Sequence, residues 1–166
     1  MTQGPDAPAA VRPGRIQTIL LASDLSPASA SAEDLAFELA GRLGSAVLLV
    51  SVIDPRGLWL PGGGFHQRVD QVRTAREAAA QAIVERGHRE RVPIRCLIWE
   101  GDPGEAIVEA AESEQVDLVV VGSHGRGQMG RLFLGSVSEH VVRNAGCPVL
   151  VVRGRQNGEA EARVAN

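Results

Sequence analysis

Apolar and polar positions come in alternating blocks from about residue 15 to residue 153. "IQTILLAS" (16–23), "AVLLVSVID" (46–54), "PIRCLIWEG" (93–101), "VDLVVVG" (116–122) and "CPVLVV" (147–152) are short apolar runs rich in β-branched residues. Runs without an apolar–polar alternation predict strands covered on both faces. The stretches between them read as helices. In 26–44, Ser26 is positioned to cap and Pro27 to open the first turn. Leu35, Ala36, Leu39 and Leu43 fall on one face, and Gly44 stops the helix. A loop with three successive glycines (55–66) leads to an Arg-, Glu-, Ala- and Gln-rich stretch, 67–91, that predicts a long exposed helix. Asp102 and Pro103 open a helix over 102–114, and 136–146 completes the set. Strand–helix alternation of this kind predicts an α/β fold, a doubly wound, Rossmann-like parallel sheet with helices on both faces. Residues 1–14 and 154–166 lack periodicity and are expected to be disordered tails around a domain at 15–153.

Composition narrows the chemistry. The 166 residues suffice for one well-buried domain, and a net charge of -3 with no basic block argues against a nucleic-acid surface. All 17 basic residues are arginine, so Schiff-base and P-loop lysine chemistry is excluded. Cys96 and Cys147 have no CxxC partner and, with the histidines, no metal-ligand spacing. Free thiols in a reducing compartment are expected. With no signal-peptide pattern and no run long enough to span a bilayer, the expected location is cytoplasmic, away from membranes.

The stretch "VVVGSHGRGQMGRLFLGS" (119–136) carries the candidate chemistry. Bare backbone N–H groups beside glycine can approach an anion closely. A P-loop fails for want of lysine. Gly125 to Gly130 spells GxGxxG, but after the fourth strand rather than the first, and the one strand that follows ends in arginine rather than a ribose-binding acid. The third spacing is G-x2-G-x9-G-S, from Gly122, Gly125, Gly135 and Ser136. Here two glycines turn the chain after a strand, nine residues cover the site, and Gly135-Ser136 opens a helix whose N-terminal N–H groups favour a phosphate. Arg126 and Arg131 both lie in the glycine loop and either could clamp that phosphate; Arg126, directly after Gly125, is favoured. Ser136-Val137-Ser138-Glu139 also reads as a capping box. Ser26 being the better cap, Asp24 is left to contact ligand.

That spacing resembles the nucleotide-binding signature of the universal stress protein family, in its ATP-binding branch. "ILLASDLS", "LLVSVID", "EGDPGEAIVEAAE", "DLVVVGSHGRG" and "GSVSEHVVRNAGCPVLVV" resemble its other segments across 15–153. The resemblance implies a five-stranded parallel sheet of order 3-2-1-4-5, with the ligand at the switch between the first and fourth strands. It implies that Asp24 lies at the nucleotide pocket, with a contact to ribose, base or a bound metal. Ala22 and Val52 would wall the adenine, and Val137 and Ser138 join the phosphate cradle. The ligand implied is ATP with Mg or Mn. A homodimer through the edge strand 148–152 is implied too, with a regulatory protein partner left unnamed. A slow Mg-dependent ATPase, and a partner-binding dimer whose pocket takes another adenine nucleotide such as cyclic AMP, stay open beside a nucleotide-dependent regulatory or protective module. No acid–base–nucleophile set is evident, so catalysis is at most weak hydrolysis.

Overall fold

Five parallel strands form one sheet in the order β3-β2-β1-β4-β5. The computed structural model describes residues 15–123 and 134–154. The elements are β1 (Thr18–Ala22), α1 (Ala30–Leu43), β2 (Ala46–Ile53), α2 (Phe65–Glu90), β3 (Ile94–Glu100), α3 (Pro103–Ser113), β4 (Leu118–Gly122), α4 (Ser136–Asn144) and β5 (Val149–Val152). The expected order and architecture are thus observed. Apart from Gly154, the two expected tails lie outside the described residues.

The strands are apolar on both faces because each face meets helices. Ile19, Leu21, Val47, Leu49 and Val120 pack under α1 and α2 with Ala36, Phe37 and Ala80. Leu20, Leu48, Val50, Val119 and Val121 pack under α3 and α4 with Ile107, Ala110 and Val141. α3 starts where expected, with the Asp102 carboxylate accepting from Gly104 N (3.0 Å) and Glu105 N (3.3 Å) and Pro103 next. Gly44 ends α1 in the left-handed conformation (φ 66°).

α1 departs from expectation in two ways. It begins at Ala30, after a 3-10 turn over Pro27–Ser29, and its buried residues are Ala32, Ala36, Phe37 and Ala40. Leu43 is 37% exposed. The buried face is three alanines around Phe37, with Leu39 packed at its side. The glycine loop after β2 is also ordered by contacts. The Arg68 guanidinium donates to Leu58 O (2.8 Å) and Gly63 O (2.7 Å), while Trp59 stays 68% exposed.

Two local contacts qualify this packing. Pro93 O and Gly101 N bond to β2, so the even-numbered peptides of β3 face the sheet's outer edge. Arg73 covers part of that edge, donating to Ile98 O (3.4 Å) and pairing with Glu100. Secondly, α3 and α4 touch at Gly104, where an added Cβ would lie 2.8 Å from His140 Cγ and 2.9 Å from its Cβ. Alanine there gains about 1 kcal/mol of helix propensity. It loses about 1–3 kcal/mol to overpacking against a group anchored on a second helix. Gly104→Ala is therefore expected to be net destabilising, with a lower urea midpoint at unchanged m-value.

Candidate functional site

The crevice lies at the carboxyl ends of β1 and β4, from which the chain crosses in opposite directions, to β2 and to β5. Ala22 pairs in register with Val121. Asp24 and Gly122, which follow that pair, therefore start the two walls of the opening. Ala22 and Val52 belong to the core on the α3 and α4 side of the sheet, 6% and 8% exposed. Gly122 closes β4 opposite Val152, and Gly135 stands at the start of α4. Gly125 and Arg126 lie outside the described residues.

The turn after β1 is held by its own side chains. Asp24 Oδ1 accepts from Ser26 N (3.0 Å), Ser26 Oγ (2.6 Å) and Ser29 Oγ (2.8 Å). This corrects the expected division of labour, because Ser26 makes no side-chain cap and the aspartate takes both its amide and its hydroxyl. An aspartate two residues upstream accepts from the Ser26 amide as an Asx turn, and its charge also draws the Ser26 hydroxyl proton. Beside it, buried Ser23 donates to Glu33 Oε1 (2.6 Å) and accepts the Leu25 N–H (2.9 Å). Leu25 has φ 61°, a left-handed conformation rarely adopted by a branched residue.

Burial pushes the Glu33 carboxyl above its ordinary value of 4.5. The Ser23 hydrogen bond and the Arg86 charge pull it down, while Asp34 and Asp24 add to the rise. A carboxyl that holds its proton more tightly when folded adds stability at acid pH. That gain is complete below about pH 4.5 and is lost as pH rises through the raised value. Glu33→Gln carries no charge at either pH, so its melting temperature relative to the parent is expected to increase from pH 4 to pH 7. Calorimetry at the two pH values checks this.

On the other wall, the Ser123 carbonyl gathers both ends of the glycine segment. It accepts from Gly135 N (2.8 Å) and from the buried Ser138 hydroxyl (3.3 Å), which also donates to Gly135 O (2.9 Å). The first bond of α4 runs from Glu139 N to Gly135 O (2.9 Å). The N–H groups of Ser136, Val137 and Ser138 precede it and have no partner within the helix. Gly135, not Ser136, occupies the cap position, and no side chain caps it. The expected capping box does not form, because Ser136 already lies in the first turn. Ser136 is exposed. With φ -63° and ψ 155°, Gly135 has a backbone open to any residue; what it lacks is a Cβ.

A third group marks the rim. Arg56 pairs with Asp54 (2.9 Å) and with Asp102 (2.8 Å), joining the loop after β2 to the cap of α3. The Arg56 hydrogen bond holds Asp54 below the usual carboxylate range, and the Glu105 N–H does so for Asp102. Burial raises both cysteine thiols, which are half-buried and remain protonated at neutral pH. Among the described residues no three His, Cys, Asp or Glu side chains could together hold a metal ion, and no helix is long and apolar enough to cross a membrane. An open cleft of about 400 Å³ between α2 and β3, lined by Arg73, Glu77 and Cys96, lies on the opposite face from Ala22 and Val52.

The structure thus places Ala22, Asp24 and Gly122 at the carboxyl ends of the neighbouring strands β1 and β4, and Gly135, Ser136, Val137 and Ser138 at the start of α4, tied to Ser123 after β4, with Val52 on the same face of the sheet as Ala22. Ser23, Glu33 and Ser123 were not legible as part of this site. The Ser23–Glu33 bond spans ten residues and depends on how α1 packs.

Residues 15–153 match the model of the universal stress protein family. A universal stress protein of Thermus aquaticus is 38% identical over 139 residues, covering 82% of this chain and 98% of its own. Among solved structures, that of MJ0577, a protein of Methanocaldococcus jannaschii, superposes with a TM-score of 0.78 at 26% identity, covering 86% and 99% of the two chains. A universal stress protein in complex with cyclic AMP superposes at 0.63 and 25% identity, covering 84% and 98%.

Proposed function

Because this chain belongs to the universal stress protein family, we propose that it binds ATP in the crevice between β1 and β4 and acts as a nucleotide-dependent regulatory or protective module of the stress response. The observation that carries this reading is the first turn of α4. Three backbone N–H groups without a helical partner open beside the end of β4, at the switch point of a doubly wound sheet. Gly122, Gly125 and Gly135 keep side chains out of the phosphates' way. Arg126 supplies the cation that the chain cannot draw from lysine. Ala22 and Val52 give the adenine an apolar wall.

Asp24 is the crevice carboxylate suited to the ribose or to a metal carried by the nucleotide. Magnesium commonly binds through one carboxylate plus substrate phosphates and water, so one such group is sufficient. Mg or Mn would shield the phosphate charge. A homodimer joined along β5 fits a strand whose residues are only partly buried in the single chain. The reading has the protein in the cytoplasm, acting through a protein partner.

Titration calorimetry of the intact chain with Mg·ATP, ADP and cyclic AMP tests it. Saturable binding of Mg·ATP, tighter than that of cyclic AMP, is the expected result. Preference for cyclic AMP moves the pocket to that ligand, for which the cyclic AMP complex of a relative is the specific support. No binding of any of the three, after checking for co-purified nucleotide, ends the reading. Phosphate release above background that Asp24→Ala removes, with binding retained, would instead make the protein a slow ATPase.

A further inference from the structure

We propose that Ser23 and Glu33 are positioning residues for nucleotide binding: their hydrogen bond holds Leu25 in its left-handed conformation and so sets the turn that carries Asp24 at the crevice. The inference rests on the nucleotide-binding reading and adds residues to it.

The chain of contacts is continuous. Glu33, on α1, accepts the Ser23 proton at 2.6 Å, which fixes the hydroxyl's direction. A serine hydroxyl has one proton and two lone pairs, so with the proton committed a lone pair is left for a donor. That donor is the Leu25 N–H at 2.9 Å. Ser23 cannot turn away, because it is buried and its own N–H is bound to Val50 O (3.1 Å) on β2. Leu25 is therefore pinned from a rigid strand on one side and a helix on the other.

The backbone there is one that a leucine avoids. A left-handed residue without glycine's freedom persists only where its surroundings over-determine it, and such residues gather at binding sites. Asp24 lies between the pinning serine and the strained leucine. Its carboxylate is committed on the same side, with Oδ1 held by the Ser26 amide and by the Ser26 and Ser29 hydroxyls. Relaxing Leu25 to a right-handed or extended conformation would swing the peptide that joins it to Asp24. The strained turn thus preorganises the site before ligand arrives.

The test is a binding series with Mg·ATP on the full chain, with far-ultraviolet dichroism and urea midpoints measured alongside. Ser23→Ala is expected to weaken binding about tenfold. In the double variant Ser23→Ala/Leu25→Gly, glycine adopts φ 61° without steric cost, so affinity is expected to return to within about threefold of the parent. A merely structural serine would show no such recovery, since glycine adds flexibility rather than packing. Glu33→Leu, which leaves the serine but removes its acceptor, is the second arm and is expected to match Ser23→Ala. Parent-like affinity in a folded Ser23→Ala or Glu33→Leu overturns the proposal, as does failure of Leu25→Gly to restore binding. Should Ser23→Ala not fold, Glu33→Leu decides alone. A parent that does not bind Mg·ATP defeats the nucleotide reading itself, an outcome distinct from parent and variants binding alike.

Discussion

Gly135→Val is expected to fold and to lose its nucleotide. The residue has φ -63° and ψ 155°, where valine is comfortable, and its N–H and carbonyl can keep their bonds to Ser123 O and Glu139 N. Replacing glycine at a helix cap with a residue that cannot cap costs about 1 kcal/mol. The effect on binding is far larger. The new side chain stands in front of the Ser136, Val137 and Ser138 N–H groups, where the phosphates are proposed to lie. A loss of about 100-fold in affinity, near 2.7 kcal/mol, is expected. Thermal shift gives an independent reading. Ligand at about 100 times its Kd stabilises the parent by roughly 2.7 kcal/mol, and the variant should gain only about 0.4 kcal/mol at the same concentration. If the variant binds as the parent does, the phosphates are not on α4, whatever else the crevice holds.

Phe37→Ala is expected to have the largest effect on folding. Phe37 is 1% exposed and fills the space between α1, α2 and the sheet. The Arg86 guanidinium stands 4.7 Å above its ring centroid and is itself held by Asp34 and Glu90, both at 2.6 Å. Truncating a buried phenylalanine costs about 3–5 kcal/mol. That is a large share of the roughly 5–15 kcal/mol that keeps a domain folded. The neighbouring alanines cannot fill the gap, and Arg86 loses the surface it rests on. Urea denaturation should show a midpoint lowered in proportion. A loss under 1 kcal/mol would mean that α1 closes over the cavity.

The strands were readable because nothing competes with an apolar run buried on both faces. Gly44 and Asp102-Pro103 were readable because caps are local, each acting within a few residues of itself. The start of α1 was not, since Asp24 and Ser26 are both good acceptors and only their placement decides which is served. The buried face of α1 is legible only in part: Ala36 and Leu39 of the expected face pack in the core, but its centre lies over Ala32, Ala36, Phe37 and Ala40, and periodicity alone fixes a face only to within a neighbouring position. The order of the strands came from resemblance, as hydrophobic pattern does not say which strand lies beside which. Within the candidate site, the glycine spacing marks the start of α4 as the place proposed for an anion. The Ser23–Glu33 and Ser123–Ser138 contacts join separate elements, and no local pattern announces them.

Arg73 has a bearing on how copies of the chain assemble. By donating to Ile98 O and pairing with the Glu100 carboxylate it obstructs one end of the β3 edge, whereas β5 at the opposite border is the strand proposed to pair. A molecule that offers both borders of its sheet to like molecules can grow without limit. A molecule that offers one can only find a twin and stop. A closed, countable complex rather than a fibre is what an arginine-covered β3 and the proposed pairing of β5 would give.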